Sequence, residues 1–255
     1  MMRKSVNLAV LVGVASVSAI ASADVCVDVS RAAFKAAVST AYSETLTTGF
    51  GLGMWATLVD DTGKVCHVYS VDGAGGASNA GADTSQTAWL GSRVISAQKA
   101  NTANAFSLSG LAISTGAITV ATYEGGSLFG LQASNPVNAD IVYEGSAGTL
   151  GTNSDSMKGK RPGGINLFGG GVALYDGSGA KVGAVGVSGD TSCRDHTMAY
   201  RVRIALGLNN EPNDDGLELV DTTMVPLTAL FQQPACGVAD PAVTVYQAAN
   251  DNGVR

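Results

Sequence analysis

Apolar and polar positions alternate with two different periods along the 255 residues, and the switch between them outlines the fold. After Ser30, a plausible N-cap, Phe34, Ala37, Val38, Ala41 and Tyr42 recur at helical spacing, which predicts an amphipathic helix near 31–45. Met54 to Val59 and Val65 to Val71 are β-prone runs joined by Asp60-Asp61-Thr62-Gly63-Lys64, a hairpin signal. Asp72 to Gln86 has almost nothing to bury and reads as a long loop. Ser92 then caps a second helix whose small residues Ala97, Ala100 and Ala103 would let it lie close to a sheet. A strand is expected near Ala117 to Tyr123, followed by irregular, insertion-like chain from Gly125 to Gly164.

A second hairpin is predicted from Val172 to Tyr175 and Lys181 to Val187 around Asp176-Gly177-Ser178-Gly179. Its glycines Gly183 and Gly186 leave sheet area uncovered. Ser192 and Asp195 form a capping-box pattern ahead of Met198, Val202, Ala205 and Leu206, and Gly207 ends that third helix. Beyond Asn209 only a turn at Glu211 to Gly216 is legible. Hairpins cannot join parallel strands, so the order predicts an α+β domain with an antiparallel sheet carrying helices on one face.

The first 23 residues stand apart from this fold. Met1-Met2-Arg3-Lys4, an apolar stretch from Val6 to Ile20 and Ala21-Ser22-Ala23 have the three parts of a secretory signal, so the mature chain is expected to begin at Asp24, in the periplasm or outside the cell. Losing Arg3 and Lys4 takes the net charge from −6 to −8, which repels phosphate backbones and argues against nucleic-acid binding. Charged residues make up 14% of the chain and hydrophobic residues 45%, a composition that folds. In an exported chain Cys26, Cys66, Cys193 and Cys236 read as two structural disulfides. Three connectivities are open, and Cys26 with Cys66 and Cys193 with Cys236 is the pairing adopted as an expectation.

Catalytic templates mostly fail. Neither glycine-rich phosphate motif occurs, H-E-x-x-H is absent, and Gly186-Val187-Ser188-Gly189-Asp190 lacks the last glycine of a nucleophile elbow. Ser96-Ala97-Gln98-Lys99 matches S-x-x-K without its companion elements. With His67 and His196 as the two histidines, a three-histidine zinc site is impossible. His67 falls inside a predicted strand on the face of Val65, Tyr69 and Val71, where a hydrogen-bonded core imidazole is the plain reading. His196 falls in the first turn of the third helix, flanking Tyr200 and Arg203, where an exposed ring without a ligand is the plain reading.

Two segments resemble a known family. Gly91 to Phe106, with Ser96-Ala97-Gln98-Lys99-Ala100-Asn101-Thr102-Ala103 at its centre, is similar to the central helix of the GlcG/HbpS-type heme-binding proteins. Gly170-Gly171-Val172-Ala173-Leu174-Tyr175-Asp176 and Gly183 to Asp190 resemble that family's glycine-rich hairpin, and the likeness runs over residues 31–208. The resemblance implies a profilin-like fold, homo-oligomers and non-covalent binding of heme, in the exported subset of the family. With the leader at 1–23 set aside, the chain is expected to hold a domain of this kind at 24–208 and an extension at 209–255. Ser192-Cys193-Arg194-Asp195-His196 departs from the Gln and acidic residues with which many members begin the last helix.

A heme site needs an apolar slot, an axial donor and partners for the propionates. On this reading His196 is the expected axial donor and metal ligand, with His67 or Met198 behind it, and Arg93, Lys99 and Arg161 are the propionate candidates. The competing reading is an oligomeric accessory or sensor module that binds a small organic metabolite without metal. No reactive group for an enzyme can be named from the sequence.

Overall fold

The computed structural model describes residues 24–45, 49–71, 88–220 and 231–236. The leader at 1–23, the loop at Asp72 to Gln86 and the last residues of the chain lie outside the described residues. Helices α1 (Val25–Asp28) and α2 (Arg31–Glu44) precede hairpin β1 (Met54–Asp60) and β2 (Val65–Val71), and α3 (Leu90–Phe106) follows. Short helices α4 (Leu131–Ser134) and α5 (Ala139–Val142) interrupt the middle of the chain. Hairpin β3 (Gly171–Tyr175) and β4 (Lys181–Ser188) leads into α6 (Ser192–Ala205), and β5 (Glu218–Val220) pairs in parallel with β6 (Gln232–Pro234).

The two hairpins merge into one antiparallel sheet of order β2-β1-β4-β3, the predicted α+β class. Side-chain alternation gives each face its own core. Met54, Ala56 and Leu58 join Val172, Leu174, Val185 and Val187 beneath α2 and α6, whereas Trp55, Val59, Val68 and Ala184 pack under α3. Helices therefore cover both faces, not one, because both phases of the strands are buried. The bulge between Leu58 and Val59 turns Val65 to the α3 face while Tyr69 and Val71 join the other core, splitting the set predicted to share a face with His67.

α3 lies almost on the sheet backbone. A Cβ on Gly186 would sit 2.0 Å from the Ser96 carbonyl oxygen and 2.4 Å from the Ala100 nitrogen. Ala97, Ala100 and Ala103 supply the matching small face, and the Thr57 and Ser96 hydroxyls hydrogen-bond at 2.7 Å across the contact. The turns use the predicted chemistry: Asp60 Oδ1 accepts from the Thr62 and Lys64 amides, and Asp176 Oδ1 from the Ser178 and Ala180 amides.

Several expectations need correction. Trp89, not Ser92, occupies the N-cap of α3, and Thr191, not Ser192, caps α6 by accepting from the Arg194 amide. The strand expected near Ala117 to Tyr123 is a pair of 3-10 turns, Gly116–Ile118 and Val120–Thr122. Their β-branched residues suit a strand, but Thr115 and Thr119 instead direct their hydroxyls to the carbonyls of Phe168 and Leu167 at 2.5 and 2.6 Å, so tertiary contacts override propensity. Beyond 208, the described residue Asp215 docks on α6. Arg203, fully buried, donates to both oxygens of Asp215 at 3.0 and 2.9 Å, and Tyr200 donates to the same carboxylate.

Both disulfides take the expected pairing, Cys26–Cys66 and Cys193–Cys236. Among the described residues no helix is long and apolar enough to cross a membrane.

Candidate functional site

Two of the predicted site residues come together at the start of α6. Lys99, on α3 and 2% exposed, donates to Asp195 Oδ2 at 2.7 Å, and Asp195 Oδ1 accepts from the Asp190 amide at 3.1 Å. Burial pushes the Asp195 carboxyl up to about 6 from 3.8, although the Lys99 charge pulls the other way. His196 follows in the chain with no exposed surface, its ring 5.1 Å from that of Tyr200. The exposed helix-start imidazole expected from sequence is thus an interior one. Gly169 and Gly170 close over the group: a Cβ on Gly169 would meet His196 Cβ at 3.0 Å, and one on Gly170 would meet Lys99 Nζ at 2.9 Å. Glycine is required here because the backbone crosses these side chains in contact.

The other four lie apart. Met198 belongs to the core shared with Phe34, Leu174 and Val185. Arg93, 2% exposed, is held by Asp155 through Nε at 2.9 Å and an Nη at 2.6 Å, and also donates to the Val142 carbonyl at 2.6 Å, tying the middle segment to α3. His67 Nε2 lies 2.8 Å from the Val29 carbonyl oxygen and its ring stacks on Phe34 at 5.8 Å. Burial lowers its pKa below the ordinary histidine value, against the raising effect of that hydrogen bond. Arg161 is exposed and donates to the Thr62 carbonyl at 2.9 Å.

Apart from Arg93, the side chains that surround open space are different ones. A cleft of about 540 Å³ lies between the 3-10 turns, α4 and the segment before β3, lined chiefly by Gln98, Thr119, Tyr123, Leu131, Gln132 and Phe168. That volume is within the range of small-molecule and cofactor sites. Its walls are cross-braced: Thr119 Oγ1 donates to the Leu167 carbonyl, and Gln132 Oε1 accepts from the Leu167 amide at 3.3 Å. Tyr123 and Phe168 are 45% and 52% exposed, leaving an aromatic, partly apolar rim. Sequence reasoning missed this cleft because its walls come from the segment read as a strand and from the insertion-like chain after it. The signal that was present is the concentration of Leu128, Phe129 and Leu131 between turn glycines, apolar residues with no periodic element to bury them.

A smaller cavity of about 180 Å³ lies at the Arg93 end of α3, against Leu90, Val94, Val142 and Leu150. Among the described residues, Asp24, Cys26 and Asp60 are the one cluster with metal-ligand spacing. Cys26 is committed to its disulfide, so that cluster is not a ligand set.

The model of a family described as haem degrading protein HbpS-like matches residues 27–203. No curated protein matches the chain. Three solved structures are similar to it. Klebsiella pneumoniae ORFY is 21% identical, with 81% of this chain and 97% of that one covered at a TM-score of 0.44. A PduOC:heme complex is 18% identical, with 71% and 97% covered at 0.46. A double mutant of Streptomyces reticuli HbpS is 18% identical, with 79% and 99% covered at 0.40. The family match spans well over half of the sequence, and the chain belongs to the HbpS-like family.

Proposed function

We propose that this member of the HbpS-like family binds heme non-covalently in the cleft beside Tyr123, as an exported carrier, store or sensor. The observation that carries the reading is the cleft itself, an open cavity of cofactor size with aromatic residues at its rim, in a chain whose family is described by its chemistry on haem. Two disulfides support an oxidising compartment.

The donor set fits the group. Leu131, Leu167 and Phe168 offer apolar surface to a flat macrocycle, and Gln98 and Gln132 offer side-chain amide groups for its carboxylates, the Thr119 and Thr122 hydroxyls being given to the Leu167 and Thr119 carbonyls. Tyr123 brings a phenol oxygen, a known haem-iron donor. His196 and Met198, the donors preferred from sequence, have no exposed surface and do not line the cleft. Lys99 and Arg93 are committed to Asp195 and Asp155, which leaves propionate recognition to the neutral side chains of the cleft. Bound iron porphyrin supplies a redox-active, ligand-binding metal centre. The protein's part is to hold it at the rim and limit water on its apolar face.

Titration of the purified full-length chain with hemin, followed by absorbance, tests the reading. A saturable Soret shift is expected, with Tyr123→Phe weakening binding about tenfold or more and altering the spectrum. The absence of any Soret change in wild type would refute heme binding. A shift untouched by Tyr123→Phe but abolished by His196→Ala would move the iron to the interior histidine. Loss of the haem spectrum with added reductant, accompanied by a released product, would make the protein a haem-degrading enzyme.

A further inference from the structure

We propose that β6, tied down by the Cys193–Cys236 disulfide, is a brace behind the cleft, and that Gln233 is the positioning residue through which the redox state of that disulfide sets ligand affinity. The proposal rests on the cleft being the ligand site. Its geometry stands on three contacts from β6 and its flank.

Gln233, 1% exposed, accepts from the Gly169 amide at 2.7 Å through Oε1 and donates to Ser192 Oγ at 3.0 Å through Nε2. Gly169 directly follows Phe168, a wall of the cleft. The Phe231 amide donates to the Ala117 carbonyl at 2.8 Å, two residues before Thr119, which also lines the cleft. One short segment therefore hydrogen-bonds to both stretches of chain that carry these lining residues. Gly116 adds a close contact, since a Cβ there would meet Leu217 at 2.3 Å and Gln233 Oε1 at 3.0 Å.

The brace has little hold of its own. β5 and β6 form a two-stranded parallel ribbon of three residue pairs, and an isolated ribbon of that size is marginal in water. Besides the hydrogen bonds of Gln233 and Phe231, a covalent link holds it at the first turn of α6, where the Cys193 amide also donates to Cys236 Sγ at 3.1 Å. Reduction by a dithiol adds two electrons and two protons to the S–S bond and leaves two thiols, while the dithiol closes to its own disulfide. β6 then keeps its hydrogen bonds to the wall segments but loses its covalent anchor. Cys26–Cys66, which links α1 to β2, has no part in this arrangement.

The experiment compares hemin titrations of wild type, Cys193→Ser/Cys236→Ser, Gln233→Met and, as a control, Cys26→Ser/Cys66→Ser, all as full chains without reductant. The first two variants are expected to bind hemin about fivefold or more weakly, the scale of ordinary coupling between sites, with a displaced Soret band. Gln233→Met leaves the buried Gly169 amide without its acceptor and should also lower the urea midpoint of the ligand-free protein, so the displaced Soret band of the folded variant is the readout that lost stability alone would not produce. The control should bind as wild type does. Wild-type affinity and spectrum in folded Gln233→Met would overturn the proposal. If wild type takes up no hemin, the cleft reading fails separately, and hydrogen exchange at the Thr119 and Thr122 amides decides the brace. Faster exchange in the Cys193/Cys236 variant supports it, and unchanged exchange overturns it.

Discussion

Adding one methyl group at Gly186 tests how α3 is seated. The new carbon would lie 2.0 Å from the Ser96 carbonyl oxygen and 2.4 Å from the Ala100 nitrogen, both backbone atoms, so no side-chain rotation can relieve it. Ordinary carbon contacts begin near 3.5 Å, so the helix must retreat by about 1.5 Å along the contact. That retreat opens the layer between α3 and the sheet, where Trp55, Val59, Val94 and Ala184 pack, and separates the hydroxyls of Thr57 and Ser96. Overpacking costs roughly 1–3 kcal/mol and sometimes more. With backbone on the receiving side we expect about 3 kcal/mol for Gly186→Ala, or a Tm lower by roughly 6–12 °C for a chain of this size. Gly177→Ala is the control, because a Cβ there meets nothing within 4 Å. Urea denaturation followed by circular dichroism reads both. A Gly186→Ala protein within about 0.5 kcal/mol of wild type, the usual range of surface changes, would refute the close seating of α3.

Asp195 makes stability depend on pH in an unusual direction. Its folded pKa of about 6 stands above the ordinary 3.8, so the folded state binds the extra proton and stability falls as pH rises from about 4 through 6. The contribution lost between pH 5 and pH 7 is about 1 kcal/mol, to be read as the difference between wild type and Asp195→Asn in urea midpoints at the two pH values; an identical slope in both would refute it. Asp155→Ala leaves Arg93 buried without its carboxylate and should cost roughly 3–5 kcal/mol, with thermal unfolding as the measure.

The hairpins show where local chemistry suffices. Asp60 with Gly63, and Asp176 with Gly179, close their turns by contacts within five residues, so the strands on either side were legible along with their boundaries. Helix α2 was equally legible, because its buried stripe and its Ser30 cap are both local. Ala97, Ala100 and Ala103 even announced a close approach, though only the fold shows that Gly186 receives them.

The site was another matter. His196 and Lys99 could be named, but their burial depends on Gly169 and Gly170 crossing them from a segment whose course no periodicity describes. Asp155, the partner of Arg93, lies 62 residues away, and Gln233 lies 64 residues from the Gly169 amide it accepts from. Period and turn chemistry are carried by neighbours along the chain, so sequence determined the two hairpins, helices α2, α3 and α6 and the antiparallel class, and left three cysteine pairings open. Which faces meet, which charges are sealed and where space remains open depend on contacts between distant segments. Those were decided only when the folded chain brought the walls of the cleft together.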